Sequence, residues 1–283
     1  MNSQLLRESA RALLAVVMAG VVLASLSAMN APFAWAASPP VTQTNYDSVS
    51  PGSSDYDYWV EQVKASGRVR YVPDPEGQRG IVQRIEVKSG DTQVYGSGMD
   101  AERAEVTQRT GDLGGFVDGQ SIVISFGVLL DPSFSSPENN WNIFSQIHAA
   151  GGGNRPPFSL SFSGDQPEVL MALEGGGQWQ KSGQPDGSVR SRFQLGSLSK
   201  GEWHDFVVEL QFGCNGDGHV TVWLDGQMST DADNQRIGYC GDPGMYWKQG
   251  VYRAADDADL TLWFSDTYRW ADMNDALAHY GWG

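Results

Sequence analysis

The stretch Tyr246-Trp247-Lys248-Gln249-Gly250-Val251-Tyr252-Arg253 sets two tyrosines and a lysine at alternating positions. Successive side chains of a β-strand point to opposite faces, so Tyr246, Lys248 and Tyr252 share one side and Trp247 and Val251 the other. Two other segments obey the same rule. In AERAEVTQR, residues 101–109, Arg103, Glu105, Thr107 and Arg109 face one way and Ala104 and Val106 the other. In NIFSQIHA, residues 142–149, Gln146 and His148 share a side, with Ile143 and Ile147 expected opposite them. Strand faces that meet only water usually carry Thr, Ser, Lys and Glu. These carry Arg, Gln, His, Lys and Tyr, a set able to bind a carboxylate and move a proton. Taken singly, His148 reads as an ordinary strand histidine and Tyr252 as a packed aromatic. The coincidence on three strands is what points to a working surface.

Holding such faces together requires a sheet. Thirty-four glycines, many Ser/Asp/Asn clusters and short alternating runs point to an all-β chain. Strands are predicted at 80–88, 101–108, 121–130, 142–149, 158–162, 169–173, 203–212, 219–224, 246–253 and 260–265. That many short strands in one domain imply two packed sheets. Asp225-Gly226 supplies a hairpin turn, residues 273–280 read as a helical turn or two, and no repeat period is visible.

At the N-terminus, Arg7 and Arg11 precede the apolar run 12–26, and Ala34-Trp35-Ala36 is a small-x-small pattern. Residues 1–36 read as a signal peptide, 37–60 as a linker or extended segment, and 61–283 as a single domain. The apolar run falls short of the roughly 20 residues a membrane span needs. The mature chain is therefore expected without a membrane partner, secreted or periplasmic, and as a monomer. Without residues 1–36 it holds 17 basic and 33 acidic side chains, a net charge of −16, which argues against nucleic acid as a partner. Cys214 and Cys240, the only cysteines, are expected to pair in an oxidising compartment. They offer too few neighbouring ligands for a metal, since His219 is the only close histidine. No catalytic role is assigned to His204, His219 or His279.

Arg103-Ala104-Glu105, Gln146-Ile147-His148 and the strand 246–253, in that order over about 150 residues, resemble the β-jelly-roll polysaccharide lyases. That concanavalin-like group contains heparin lyase I-like proteins, glucuronan lyases and alginate lyases. The alginate-lyase pattern continues with Asn-Gln after the second tyrosine; Arg253-Ala254 lies nearer the glucuronan and heparin side. The resemblance implies a sandwich of two antiparallel sheets with a concave cleft, and β-elimination on an acidic polysaccharide, leaving 4,5-unsaturated uronate ends. It implies His148, Tyr252, Gln146 and Arg103 as catalytic residues and Lys248 and Arg109 as substrate-binding ones. No cofactor is required by this chemistry. Some relatives carry calcium, and ADDADL (255–260) and TDADN (230–234) read as acidic loops, although neither has EF-hand spacing.

Two other readings share the architecture. A laminarinase-like hydrolase would carry Glu-x-Asp-x-x-Glu on one strand, and Glu102 and Glu105, three apart, fall on opposite faces. A noncatalytic lectin-like binding module stays open. Within the lyase reading, a glucuronan-like chain is expected first, polymannuronate second and heparin-type chains last.

Overall fold

Alternating apolar residues build two layers whose inner faces share one core. The computed structural model describes residues 38–53, 56, 58–108, 115–135, 141–163 and 167–283. Among them run β1 (Thr42–Gln43), β2 (Trp59–Val63), β3 (Val69–Pro73), β4 (Ile81–Val87), β5 (Ala101–Gln108), β6 (Ser121–Leu130), β7 (Asn142–His148) and β8 (Phe158–Ser163). They continue as β9 (Glu168–Gln178), β10 (Val189–Ser197), β11 (Trp203–Gln211), β12 (Gly213–Leu224), β13 (Gln227–Cys240), β14 (Tyr246–Ala254), β15 (Leu260–Phe264) and β16 (Tyr268–Trp270). The helix α1 (Met273–Tyr280) follows, where a helical turn was expected. Its start is capped by the Asp272 carboxylate, which accepts from the Asn274 amide, and Gly281 ends it in the left-handed conformation.

One layer is β2-β5-β14-β7-β8-β9, with β10 on the second edge of β9. The other is β3-β4-β15-β6-β11-β12-β13. Neighbours within each layer are antiparallel, and one contact departs from the expected pair of separate sheets. The end of β13 runs parallel to β9, pairing Gly238 with Gly175 and Cys240 with Gln178, so the two layers form one continuous hydrogen-bonded path. Gly175 permits this approach, because a Cβ there would lie 2.5 Å from the Arg236 carbonyl carbon. Between the layers Phe144 stacks on Phe162 at 4.2 Å, and Phe126 meets Phe206 at 5.4 Å and Trp247 at 5.5 Å.

Several sequence expectations change. Residues 230–234 lie inside β13, not in an acidic loop. Strands β1, β2, β3, β10, β13 and β16 form where none was predicted. Ile143 does not join the core with Ile147; Phe144 does, because the pairing of β7 with both of its neighbours shifts register at this point. Within the N-terminal lead-in, Thr42 pairs with Arg269 and Tyr46 is fully buried. The Tyr46 hydroxyl accepts from Trp59 Nε1 at 3.0 Å and Gln249 Nε2 at 3.4 Å, while its ring lies 5.1 Å from that of Tyr71.

Cys214 of β12 and Cys240 of β13 form a disulfide across 26 residues of chain. Closing a loop of that size stabilises the fold by about 3 kcal/mol in the chain-entropy model. Denaturant titration of the reduced, alkylated protein is therefore expected to show a loss of about that size; an unchanged midpoint would contradict it.

Candidate active site

The three segments with chemically capable faces become adjacent strands, β5, β14 and β7, with β14 in the middle. Register sets Tyr252 beside Arg103, Lys248 beside Gln146, and Tyr246 beside His148. Gly250 makes the alignment possible. Its φ of +133° is unfavourable for other residues, and a Cβ there would lie 2.4 Å from the Ala104 carbonyl oxygen. The β14–β7 register shifts between Gln249 and Tyr252, while pairing of β14 to β5 stays continuous. Tyr252 thereby keeps the face of Lys248. Arg103, Gln146, His148, Lys248 and Tyr252 all line one cleft of 370 Å³. Arg109, the remaining sequence candidate, lies outside the described residues.

The floor of this cleft is an ion cluster centred on Glu105, a residue that sequence reading placed on the right face but gave no role. Lys248 Nζ lies 2.5 Å from Glu105 Oε2, Gln146 Nε2 donates to Oε1 at 2.5 Å, and Arg103 Nε is 3.1 Å from Oε2. Glu105 and Lys248 are each 1% exposed. Burial pulls the Lys248 pKa down, while Glu105 opposes the shift. Two cations and one anion leave one net positive charge beneath the cleft. The contact of Arg103 Nε with Glu105 is ionic without hydrogen-bond alignment, and this buried N–H has no acceptor. The guanidinium lies 4.1 Å over the Tyr252 ring, whose edge contact with Trp141 is 4.6 Å between centroids. Tyr252 is thus gripped by its ring.

His148 sits at the other end of the cleft. Its Nδ1 is 2.7 Å from the Ala149 carbonyl oxygen, and a carbonyl only accepts, so Nδ1 carries the proton and Nε2 holds the lone pair. Burial lowers the His148 pKa, and Lys248 adds to the shift by repulsion. The ring stacks on Tyr246 at 5.6 Å, and the Tyr246 hydroxyl is 3.4 Å from Nδ1. Burial and Glu105 push the Tyr246 pKa up. The site therefore combines a neutral imidazole, a tyrosine hydroxyl and a fixed positive charge, which together can accept a proton, donate one and hold an anion.

Sequence reasoning missed the loop walls. Tyr95, Asn154 and Arg155 line the cleft, as does Gln62 of the unpredicted strand β2. Asn154 is tied down by hydrogen bonds from Nδ2 to the carbonyls of Ala150 and Gln180, both at 3.3 Å. No local period marks such residues; only the Gly151-Gly152-Gly153 run hinted at a tight loop beside His148.

The family comparison defines a class of enzyme that cleaves polysaccharide. The chain belongs to the polysaccharide lyase family, whose model matches residues 44–268. It is similar in structure to an endo-β-1,4-glucuronan lyase from the fungus Trichoderma reesei, at 14% identity and a TM-score of 0.65, covering 84% of this chain and 98% of that one. It is also similar to the marine alginate lyase of Aplysia kurodai, at 14% identity and a TM-score of 0.52, covering 82% and 99%. The alginate lyase Aly36B gives 13% identity and a TM-score of 0.52, covering 81% and 95%. Comparison with curated proteins returns no significant match.

Removing one member of a buried ion pair strands the other. Glu105→Ala should therefore cost roughly 3–5 kcal/mol in urea denaturation. Replacing both ions, with Glu105→Gln and Lys248→Met, should recover most of that stability; a double variant no better than the single one would show that the cost lies in packing rather than charge.

Proposed function

We propose that this polysaccharide lyase cleaves a glucuronan-like polyuronate by β-elimination and, after export, works outside the cytoplasm as a monomer. The observation that carries the reading is the buried Arg103–Glu105–Lys248–Gln146 cluster, with its single net positive charge and the unsatisfied Arg103 Nε–H. A uronate C6 carboxylate supplies the missing anion and acceptor. Neutralising that carboxylate acidifies the C5–H, the step on which elimination depends. The electron pair left at C5 forms the C4–C5 double bond as the C4 oxygen leaves, taking a proton from an acid. No water attacks, and the scheme calls on no cofactor.

Arg103 and Gln146 then hold the carboxylate, while Lys248, matched by Glu105, sets the potential beneath it. Tyr252 is the acid. In glucuronate and mannuronate the C5 hydrogen and the C4 oxygen lie on the same side of the ring, so Tyr252, entering the step as the phenolate, can take the C5 proton and then give that same proton to the leaving C4 oxygen, with His148 as a neutral partner. On substrates with these groups on opposite sides, His148 Nε2 is the base. The Arg253 ending and the acidic chain favour the glucuronan-like polymer over alginate or a highly sulfated one.

Purified protein incubated with polyglucuronate, alginate blocks and heparin-type chains should raise ultraviolet absorbance first and fastest on polyglucuronate. Silence on every polyuronate would overturn the reading. Tyr252→Phe should lower kcat by at least 10²-fold with near-normal substrate binding, because only the proton-transferring hydroxyl is lost. Where His148 acts as base, activity should rise with pH through a midpoint below the ordinary histidine value of about 6.5, since burial keeps the ring neutral to lower pH. A midpoint above that value would remove His148 from the role.

A further inference from the structure

The ion cluster occupies only part of its sheet face, and strand register carries that face further. Gln146 pairs with Ser159 of β8, Ser159 with Ala172 of β9, and Ala172 with Arg192 of β10. Two residues along, Glu174 pairs with Arg190. Val169, Met171 and Leu173 turn into the core, so Ala172 and Glu174 face the cleft side. On β10 Phe193 and Leu195 turn toward the core, and Arg190 and Arg192 stand exposed on the opposite face.

Glu174 is 2% exposed, with Arg155 Nη1 3.7 Å from Oε1 and Arg190 Nε 3.9 Å from Oε2. Gln184 Nε2 donates to Oε1 at 3.2 Å, whereas Oε2 has no hydrogen-bond partner. Arg155 and Arg190 flank this carboxylate and Arg192 stands two residues from Arg190 on the same face of β10, so three guanidinium groups set against one carboxylate leave two net positive charges, on a chain of net charge −15. Mutual repulsion is felt: Arg192 and Arg155 add to the burial that lowers the Arg190 pKa. Arg155 also lines the catalytic cleft, so this cationic group is continuous with it.

We propose that Arg155, Arg190 and Arg192, positioned by Glu174, form a distal anion-binding station for the carboxylates of uronate units remote from the bond being cut. The inference rests on the polyuronate reading. Arg192 lies three strands from Gln146, roughly 14 Å at the usual strand spacing. A 1,4-linked pyranose advances by about one strand spacing, so a chain crossing the strands brings roughly its third or fourth further unit to the station. Guanidinium suits this task because its planar fork matches a carboxylate. The station distinguishes acidic from neutral chains and gives long substrates an extra foothold, which favours cutting within a polymer.

Calorimetric titration of the full chain with uronate oligosaccharides of three and of six or more units tests this without requiring turnover. The longer chain should bind about tenfold more tightly, and this gain should shrink with added salt. Arg190→Gln with Arg192→Gln should abolish the gain while leaving trimer affinity unchanged, and should raise KM on polymer with kcat preserved. Arg192→Gln alone, on an exposed strand position, should remove part of the gain and serves if the double variant is unstable. A gain that survives these substitutions, or equal weakening of both oligomers, would overturn the station. Length-dependent binding through the arginines with no unsaturated product would instead sink the proposed reaction and leave the station standing.

Discussion

A carboxylate buried under two cations governs the cleft face. Placing Lys248 and Arg103 in so sheltered a position costs several kcal/mol per ion unless an anion and hydrogen bonds compensate. Glu105 supplies the anion to both and a hydrogen-bond acceptor to Lys248, and it draws its partners from three neighbouring strands: Arg103 from its own strand β5, Lys248 from β14 and Gln146 from β7. The cluster therefore fixes lateral register as well as potential. With two partners on one oxygen and one on the other, the Glu105 carboxylate has little freedom to turn, and the side chains above it inherit that rigidity. Pre-organised charge of this kind is what an elimination through a carboxylate-stabilised intermediate demands.

Which residues share a face was legible in the sequence because a period of two is a local property. Arg103 with Glu105, Gln146 with His148, and Lys248 with Tyr252 needed only their own segments. That these three strands adjoin one another was not a local property; it came from the family resemblance. Ile143 was misassigned where the register of β7 shifts, since a bulge depends on both partners of a pair. Strands β10 and β13 escaped notice for another reason. On β10 Ser191 interrupts the apolar alternation of Val189, Phe193 and Leu195, and the acidic run 230–234 of β13 reads as a loop, although backbone pairing makes a strand of each. Glu105 was visible, but its partners were not, because ion pairing across strands appears only when register is known.

The charge distribution reconciles an acidic chain with the acidic polymer proposed as its substrate. Long-range repulsion decays over about 8 Å at physiological ionic strength. Inside the cleft, the nearest charges are the net cation of the Glu105 cluster and the arginines around Glu174. Repulsion thus acts on approach, and attraction acts after the chain has arrived. Such an arrangement disfavours nonspecific adhesion to other polyanions while keeping affinity for one whose carboxylates match the spacing of the cations.

The parallel contact of β13 with β9 joins the layers along one flank of the sandwich, and the two ends of the strand order, β2 and β3, belong to different layers. Tyr46 bridges those two layers. Its hydroxyl is bonded to Trp59 and Gln249 in the cleft layer and its ring rests against Tyr71 in the outer one. The N-terminal lead-in thus behaves as a clasp, and the strand it clasps most directly, β14, carries Lys248 and Tyr252. A cut in the chain between Tyr46 and Trp59 would leave Lys248 and Tyr252 covalently in place, yet would free the segment that carries Tyr46 from the strand that carries Trp59.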